Sequence, residues 1–485
     1  MNRLQPALLD RLPAGVARPL YDRGALQPGI VHLGAGAFQR AHLAAINEAA
    51  LHATGDLRWG IVGVSLRQAG THEALHPQAG LYTLATRDTA PDGSPRETLQ
   101  VIGNLLGVLV APHDPAAVIE QIAHSATRIL SLTITEKGYR DDPSADLADA
   151  RAPRTAIGYI VRGLQQRHAR GLGPLTLMSL DNLPANGDTL RGLTLHFAGQ
   201  VDPGLQDWIA SACSFPNSMV DRIVPRTTDE DRARVSERLG LQDTWPVLAE
   251  PFLDWAVEDR FVAGRPEWQH GGARFVAEAA PFEQLKLRMV NGTHSALAYL
   301  GAVMGCETVD EAVADPAMHA YLEALMQQEI APSLQALPGL NLAAYQQRLL
   351  LRFANPALQH RLQQIAMDGS QKLPQRLLST LRDRLQAGEP IERLALAVAG
   401  WLHYLRGKTE AGHAYAIDDP MAAALAAGNA ATLHAPERER VATFCALAPV
   451  FGDLGSEARF VDALTRQAER LRMHGVRNTL LHAAG

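Results

Sequence analysis

Two patterns of apolar residues divide the chain. Up to about residue 280, apolar runs of roughly four to eight residues alternate with polar or glycine-rich turns, a pattern typical of buried strands. The clearest runs are 30–33, 59–66, 129–135 and 175–180. From Pro281 onward the spacing becomes helical, and helix follows helix. We therefore predict an α/β domain over residues 1–280 and a mostly α-helical domain over residues 281–485.

Two further segments of the first half read as a β-hairpin. Residues 81–87 and 98–102 have strand-like composition, and Asp92-Gly93 between them is a favourable hairpin turn. In the second half, the predicted helices are 318–330, 375–387, 391–405, 420–427 and 460–474.

A glycine-rich turn follows the first predicted strand, 30–33. It contains Gly34 and Gly36 and leads into an alanine-rich helix over 41–50. A strand, a glycine turn and a helix begin the dinucleotide-binding units of Rossmann type, in which backbone N–H groups face the pyrophosphate. The fingerprint is incomplete, because Gln39 stands where a third glycine is usual. We predict a Rossmann-type nucleotide-binding domain.

Three side chains near this turn are candidate cofactor contacts: Phe38, Arg40 and Arg67. Arg40 either places a positive charge near the phosphates or is an ordinary surface arginine. The end of the second strand normally carries an acidic residue that binds the ribose of NAD. Here Arg67 follows that strand and no acid occurs before Glu73, so a 2′-phosphate could also be accommodated. The residues themselves leave NAD and NADP open.

The segment 281–300, PFEQLKLRMVNGTHSALAYL, carries the strongest candidate chemistry. At about 100° per residue, Lys286 falls inside its apolar stripe. A buried lysine loses its proton more readily, because desolvation disfavours the ammonium. Beside Asn291 and His294, a neutral amine suits proton removal from an alcohol, and Glu283 could hold or receive that proton. The alternative is a lysine that extends to solvent, a helix-interior asparagine and a core histidine.

Polar residues also follow two later strands, at the edge where open α/β sheets place their sites. TEKGY, which includes Lys137, ends the strand 129–135, and SLDN, which includes Asn182, ends the strand 175–180. We expect both side chains at the carboxyl edge of the sheet, although a plain polar turn is the alternative for the second segment.

Other charged residues are less sharply defined. Asp221 and Arg222 lie in the apolar segment 216–225, where paired charges are more probable than isolated ones. Lys372 and Arg376 belong to a predicted polar loop that leads into a helix, and they are either anion-binding or simply solvated.

Composition excludes several classes of protein. A hydrophobic content of 47% with 20% charged residues is that of an ordinary soluble globular protein. A net charge of −6 without a basic run argues against nucleic acid as a partner, and no apolar run is long enough to span a membrane. The N-terminal residues lack the apolar core of a signal peptide, so we expect a cytoplasmic protein. Three scattered cysteines and no HExxH motif support neither disulfides nor a metal site. The oligomeric state stays open.

Four motifs, GAGAFQRAH, LTITEKGY, SFPNSMVDRIVP and KLRMVNGTHSALAYLG, resemble the polyol-specific long-chain dehydrogenase/reductase (mannitol dehydrogenase) family over nearly the whole chain. The resemblance implies a Rossmann domain followed by a helical domain, NAD as cofactor, no metal and often a monomer. The family pattern K-x4-N-x2-H falls on Lys286, Asn291 and His294. By resemblance, Lys286 is the general acid/base, Asn291 and Asn182 hold the oxyanion, His294 orients the substrate and Glu283 relays the proton.

Within the family, TEKGY, RAPRTAIGYIV, KLRMVNG and IAMDGSQKLPQR resemble the fructuronate reductases (D-mannonate oxidoreductases). This implies reversible conversion of D-fructuronate to D-mannonate. The alternatives are a mannitol 2-dehydrogenase or related polyol enzyme, and a non-catalytic dinucleotide sensor. A uronate carries a carboxylate that needs cations. The candidate substrate-binding residues are Lys137, Asp221, Arg288, Lys372 and Arg376.

Overall fold

The computed structural model describes residues 1–89, 94–337 and 340–484. The chain divides into two compact units, Met1–Ala280 and Pro281–Gly485. All the strands that the structure describes belong to the first unit, and the second is built from helices. The predicted fold, an α/β Rossmann-type region followed by a mostly helical one, is confirmed.

The strands of the first unit form three sheets. The described strands are β1 (Ile30–Leu33), β2 (Ile61–Ser65), β3 (Tyr82–Thr89), β4 (Pro95–Ile102), β5 (Leu105–Val110), β6 (Ile129–Leu132), β7 (Thr176–Ser179), β8 (Ser218–Asp221), β9 (Val247–Ala249), β10 (Asp254–Glu258) and β11 (Ala273–Val276). The central sheet is parallel, with the strand order β5-β2-β1-β6-β7. The two smaller sheets have the orders β4-β3-β9 and β11-β10-β8.

Helices surround this sheet in the first unit. They are α1 (Ala37–Ala41), α2 (Leu43–Thr54), α3 (Gly70–Leu75), α4 (Pro115–Ile122), α5 (Thr135–Gly138), α6 (Ala145–Ala148), α7 (Ala156–Ala169), α8 (Asn186–Val201), α9 (Pro203–Ala212) and α10 (Asp229–Leu239). The apolar run of strand β1 results from burial on both faces of the sheet. Ile30 packs in the core on one face, and Val31 and Leu33 pack in the core on the other. A parallel strand covered on both faces has no solvent side, so it need not alternate.

The predicted hairpin is present. Strands β3 and β4 pair in antiparallel register from Tyr82↔Ile102 to Thr89↔Pro95. The predicted turn, Asp92-Gly93, lies outside the described residues. Strand β6 is shorter than predicted, because it ends at Leu132 and Thr135 begins the short helix α5 with a positive φ of 60°.

The second unit contains thirteen described α-helices: α11 (Ala280–Leu285), α12 (Thr293–Met304), α13 (Val309–Ala314), α14 (Pro316–Ala324), α15 (Leu342–Phe353), α16 (Leu362–Ala366), α17 (Gly369–Leu373), α18 (Ser379–Gln386), α19 (Glu392–Tyr404), α20 (Ala422–Ala431), α21 (Glu437–Cys445), α22 (Ala448–Phe451) and α23 (Ala458–Ala484). Three π-helical segments, Lys286–Gly292, Leu325–Ile330 and Pro374–Leu378, interrupt them. No described helix is both long enough and apolar enough to cross a membrane.

The predicted polar loop at 368–376 is wrong, because the segment is helical. Asp368 takes a left-handed conformation (φ 57°), and α17 begins directly after it. The Ser370 amide and hydroxyl donate to the Asp419 carboxylate at 2.8 and 2.5 Å. Leu373 and Leu377 are fully buried in the helical core. These contacts hold as helix a stretch whose polar residues alone suggested a loop.

Candidate functional site

A cleft of about 600 Å³ opens at the carboxyl ends of β1, β2 and β6 in the first unit. Gly34 lines it with a φ of +92°, and a Cβ on this residue would lie 2.0 Å from the carbonyl oxygen of Thr133. Only glycine fits such a conformation and such a close approach. Gly36 also lines the cleft and precedes helix α1. This backbone cradle is the kind that accepts a dinucleotide pyrophosphate, so the residues present fit a nicotinamide nucleotide.

Arg40, in the helix after the glycine turn, was expected either on the surface or near the cofactor phosphates. The structure instead buries it. Its guanidinium donates to the Trp245 carbonyl at 2.6 Å and lies 5.2 Å from the centroid of the Tyr82 ring. Burial lowers the pKa of Arg40 to about 10. Arg40 is therefore a core residue, neither on the surface nor presented to phosphates. Phe38 stacks on His42, with ring centroids 5.0 Å apart.

Arg67 lies in the cleft directly after β2, as predicted. It pairs with Asp141 at 3.1 Å, and both side chains are largely exposed. Arg154 lines the same cleft. A cation stands where NAD enzymes usually present an acid, so the site retains the chemistry to meet a 2′-phosphate as well as a ribose.

A single carboxylate organises the carboxyl ends of β6 and β7. Asp181 accepts hydrogen bonds from the Ile134 and Thr135 amides at 3.0 and 2.9 Å and from the Tyr139 hydroxyl at 2.8 Å. These bonds fix α5, which carries Lys137, while the residue after Asp181 is Asn182. Lys137 and Asn182 are both exposed. The sequence placed both residues at this edge but did not reveal that Asp181 shapes it.

Asp221 and Arg222 are held at the end of β8. Asp221 is buried opposite Asp254 in the antiparallel register. The Arg222 guanidinium donates to the backbone carbonyls of Glu250, at 2.9 Å, and of Ala41. Burial lowers the pKa of Arg222 to about 10. Backbone carbonyls from two other segments therefore hold Arg222, and the charge of Glu250 favours its protonated form, in line with the paired charges expected for this apolar segment.

The candidate catalytic segment of the second unit is not one regular α-helix. Helix α11 ends at Leu285, the π-helix spans Lys286–Gly292, and α12 follows. The 100° spacing used to place Lys286 therefore fails within the π-helix. Lys286 is nevertheless buried, with 5% of its surface exposed. Insertion of a π-helical turn is frequent at functional sites.

Asn291 and His294 present polar atoms without partners. Both residues are buried, at 7% and 8% exposure. Neither Asn291 Nδ2 nor His294 Nε2 forms a hydrogen bond with any residue that the structure describes. A buried polar atom left unpaired costs about 1–3 kcal/mol, and such atoms in native proteins call for a ligand or water. The pair supplies a neutral amide donor and an imidazole nitrogen to a bound molecule.

The environment of His294 keeps its imidazole neutral. The ring stacks on Phe353 with centroids 4.8 Å apart and meets His360 edge-on at 5.1 Å. Burial lowers the pKa of His294 well below its ordinary value, and the charges of His360, Arg376, Arg352 and Lys372 act in the same direction.

The charges of three cationic side chains thus act on His294. Two, Lys372 and Arg376, were predicted from sequence; they also donate to the Ile365 carbonyl at 3.3 Å and the Ser295 hydroxyl at 3.2 Å. The third, Arg352, was missed, because a helix arginine beside Phe353 reads as an ordinary surface residue.

Arg288 has a structural role that corrects its predicted one. It is buried and donates to the Asp383 carboxylate at 2.5 Å and to the Ser333 carbonyl at 2.9 Å. Its charge is thereby neutralised within the helical core, so we withdraw it from the residues expected to bind a substrate carboxylate.

Comparison with known proteins identifies the family. The mannitol dehydrogenase Rossmann domain model matches residues 28–270, and the mannitol dehydrogenase C-terminal domain model matches residues 278–472. The chain belongs to the mannitol dehydrogenase family. The resemblance read from the motifs is confirmed.

Several members of the mannitol dehydrogenase family resemble the chain over almost its full length. D-mannonate oxidoreductase of Escherichia coli is 43% identical over 95% of this chain and 97% of its own length. Mannitol 2-dehydrogenase of Phaeosphaeria nodorum is 39% identical over 100% of this chain and 87% of its own. The structure of Pseudomonas fluorescens mannitol 2-dehydrogenase in a ternary complex with NAD and D-mannitol is 36% identical, with a TM-score of 0.91 and 99% coverage of both chains.

Membership of the mannitol dehydrogenase family makes this chain an oxidoreductase of a CH–OH group with a Rossmann-type domain. Among residues 1–89, 94–337 and 340–484, no group of three or more His, Cys, Asp or Glu side chains is arranged to hold a metal ion.

Proposed function

We propose that this protein is an NAD-dependent oxidoreductase that interconverts D-fructuronate and D-mannonate. The observation that carries the proposal is the set of cations whose charges act on the His294 imidazole, Arg352, Lys372 and Arg376, with the Arg376 guanidinium donating to the hydroxyl of the adjacent Ser295 at 3.2 Å. A polyol has no charge to meet such a field, whereas a hexuronate brings a carboxylate that pairs well with guanidinium and ammonium groups. Lys137, on α5 of the first unit, is a further candidate cation.

Lys286 is the proposed general acid/base. In oxidation, its neutral amine removes the hydroxyl proton of the substrate; in reduction, its ammonium returns that proton to the carbonyl oxygen. Glu283, on the preceding α11, exchanges the proton of Lys286 with solvent. A bound nicotinamide supplies or accepts the hydride.

Amides stabilise the negative charge on the reacting oxygen. Asn291 Nδ2, which has no partner among the described residues, donates to that oxygen, and Asn182 is proposed to act with it. His294, kept neutral by burial, orients the substrate through Nε2 without adding a charge. Asp221 is proposed to bind a substrate hydroxyl.

The first unit is proposed to hold the cofactor. Gly34 and Gly36 would receive the pyrophosphate, and Arg67 would face the adenosine ribose. NAD is the proposed cofactor, supported by the mannitol 2-dehydrogenase structure that contains it. The arginines of the cleft leave activity with NADP as an outcome to be measured.

The relatives support two substrates. The name of the Escherichia coli protein, D-mannonate oxidoreductase, favours a hexuronate, whereas the Phaeosphaeria nodorum and Pseudomonas fluorescens proteins are named mannitol 2-dehydrogenases. A mannitol 2-dehydrogenase is therefore the second candidate, favoured by the structural match to the complex with D-mannitol. It predicts turnover of D-fructose and D-mannitol and indifference to a carboxylate.

Initial rates decide between them. NADH oxidation is followed with D-fructuronate and, separately, with D-fructose, and each series is repeated with NADPH. We expect kcat/KM for fructuronate to exceed that for fructose by a hundredfold or more, which corresponds to about 3 kcal/mol of carboxylate recognition. A preference for fructose would establish the polyol enzyme, and binding of NADH without turnover of either sugar would indicate a sensor.

A further inference from the structure

A histidine is buried in the middle of the central sheet, where apolar side chains are usual. His32 lies on β1 and is fully buried, and its register partner on β6 is Ser131. Its Nδ1 lies 2.8 Å from the Ser131 hydroxyl, and its Nε2 lies 2.9 Å from the Thr133 hydroxyl. Both ring nitrogens are therefore satisfied, which removes the cost of burying a polar ring.

The hydrogen-bond directions follow from the last link. The Thr133 hydroxyl donates to the carbonyl oxygen of Gly34 at 2.9 Å. Since a hydroxyl has one proton, Thr133 accepts from His32, whose Nε2 therefore carries the hydrogen. Nδ1 then accepts from the Ser131 hydroxyl at 2.8 Å, the shorter of two contacts of that hydroxyl, since the Val31 carbonyl oxygen lies 3.4 Å from it. Burial, the larger effect, lowers the pKa of His32 to about 3, although an interaction with the Gly34 backbone acts in the opposite direction; the ring therefore stays neutral and keeps one donor and one acceptor.

The series of hydrogen bonds from Ser131 through His32 and Thr133 ends at the Gly34 carbonyl, which belongs to the glycine turn. Gly34 and Thr133 both line the cleft, whereas His32 and Ser131 are fully buried. The Gly34 carbonyl also accepts a hydrogen bond from the Gly36 amide at 2.6 Å. The same oxygen therefore takes part both in the glycine turn and in the hydrogen bonds of the three side chains. Because Gly34 lacks a Cβ, its backbone can adopt conformations other than the left-handed one seen here when it is unsupported.

We propose that Ser131, His32 and Thr133 form a hydrogen-bond relay that positions the Gly34 turn for binding of the nicotinamide nucleotide. His32 is a positioning residue: it acts on the cofactor through Thr133 and Gly34. The proposal rests on the proposed use of this cleft for the cofactor. A hydrophobic side chain at position 32 would pack in the sheet but leave the Thr133 hydroxyl without the donor that orients it.

Equilibrium binding of NADH tests the relay without relying on turnover. The dissociation constant is measured by fluorescence titration of the full-length protein for wild type, His32→Leu, Thr133→Val and the double variant. We expect each single variant to weaken binding about tenfold, the effect of losing about one well-placed hydrogen bond. The double variant should bind about as weakly as either single one, because one relay is broken in all three. Thr133→Ser keeps the hydroxyl and should stay within about twofold of wild type.

Thermal unfolding of the same variants separates positioning from stability. His32→Leu that lowers Tm but binds NADH like wild type would overturn the relay. Additive losses in the double variant would also overturn it, because they would mean that Thr133 acts on the nucleotide directly. If His32→Leu fails to fold, Ser131→Ala is the alternative variant, because it removes only the hydroxyl farthest from Gly34. We expect it to weaken NADH binding about threefold. Unchanged NADH binding by Ser131→Ala would overturn the proposal. Absence of NADH and NADPH binding by the wild type would instead overturn the proposed cofactor, a result distinct from unaffected variants.

Discussion

Lys286, Asn291 and His294 lie within the π-helix and the first turn of α12, and all three are buried. Each departs from what burial alone would select. Lysine is seldom fully buried, and the asparagine and histidine leave polar atoms unpaired among the described residues. The cost of such groups is accepted where they bind a ligand, so their roles are testable one residue at a time.

Replacing Lys286 by alanine should abolish most of the activity. Loss of a positioned acid/base group lowers kcat by about 10²- to 10⁴-fold. Steady-state rates of the purified variant measure this, with circular dichroism to establish folding. Lys408→Ala, in the turn after α19, is the matched control and should keep normal turnover. A Lys286→Ala variant that folds and retains near-wild-type kcat would contradict the mechanism.

The neutrality of His294 predicts a feature of the pH profile. Because burial and neighbouring cations lower its pKa well below the ordinary value, the folded protein keeps His294 uncharged through the range around pH 6.5 in which an ordinary histidine titrates. The profiles of kcat/KM for wild type and His294→Gln should therefore have the same shape over this range, although the variant is slower. If the kcat/KM profile of the wild type had an inflection near pH 6.5 that the His294→Gln profile lacked, His294 would titrate in the folded protein, contrary to this prediction.

At the scale of elements, the close approach of two π-helices shapes the candidate catalytic segment. A Cβ on Gly292 would lie 2.7 Å from the carbonyl oxygen of Arg376, which belongs to the π-helix Pro374–Leu378. A backbone oxygen cannot rotate away as a flexible side chain can. Glycine at 292 thus allows the segment that carries Arg376 to pack directly beside Asn291.

Gly292→Ala should force these two segments apart. We expect a loss of about 1–3 kcal/mol in the free energy of unfolding and a lower kcat, because overpacking displaces both backbones. Denaturant unfolding and steady-state kinetics measure the two effects. Gly192→Ala, in α8, is the control: a Cβ there meets no atom within 4 Å, so stability should rise by about 0.5–1 kcal/mol. Equal behaviour of the two variants would rule out this account of Gly292.

Helix α2 is joined to the turn before β5 by a buried carboxyl group. Glu48 accepts hydrogen bonds from the Tyr21 hydroxyl, the Gly103 amide and both the amide and the side chain of Asn104. Burial, the larger effect, nevertheless raises the pKa of Glu48 from 4.5 to about 7. A raised folded-state pKa means that the folded protein favours the protonated acid. Its contribution to stability is therefore full below pH 4.5 and decreases as the pH rises towards about 7.

Glu48→Gln should remove this pH dependence. Glutamine keeps an acceptor oxygen but cannot ionise, so its Tm should fall less than that of wild type between about pH 5 and pH 8. Thermal melts of both proteins in matched buffers provide the comparison. Parallel changes in Tm would show that Glu48 does not titrate in this interval.

Elements predicted from sequence succeed or fail for local reasons. The strand Ile30–Leu33 has the predicted bounds, because complete burial produces a continuous apolar run. The helical segment that begins at Gly369 was predicted as a polar loop up to residue 376, because its stability comes from the distant Asp419 and from buried leucines. The π-helix at 286–292 has no signature in residue spacing, since the extra residue per turn is set by packing.

At the scale of the whole molecule, the change from strand-like to helix-like spacing near residue 280 was visible in the sequence, and the structure divides between Ala280 and Pro281. The partners of the buried charged residues were not visible in the sequence. Arg40 and Arg288 looked like anion-binding residues until the structure showed their partners, Trp245 and Asp383. Such pairings join residues far apart in the chain, which one sequence does not reveal.

Cation chemistry predicts how substrate selectivity should change. Arg376→Met removes one of the charges near His294 while keeping an unbranched apolar side chain. We expect kcat/KM for D-fructuronate to fall about tenfold or more while that for D-fructose changes little, since only the uronate has a carboxylate to lose. Arg288→Met, whose charge is paired with Asp383, should mainly lower stability and leave the selectivity ratio unchanged. Equal losses on both substrates in Arg376→Met would show that Arg376 does not read the carboxylate.

The most direct test of the central claim is a competition between D-fructuronate and D-fructose for the wild-type enzyme with NADH. Both sugars are supplied in one reaction, and the ratio of D-mannonate to D-mannitol formed gives the ratio of kcat/KM values. With the two sugars at equal concentration we expect at least a hundredfold excess of D-mannonate, equivalent to about 3 kcal/mol of selectivity. Predominant formation of D-mannitol would contradict it and establish a mannitol dehydrogenase.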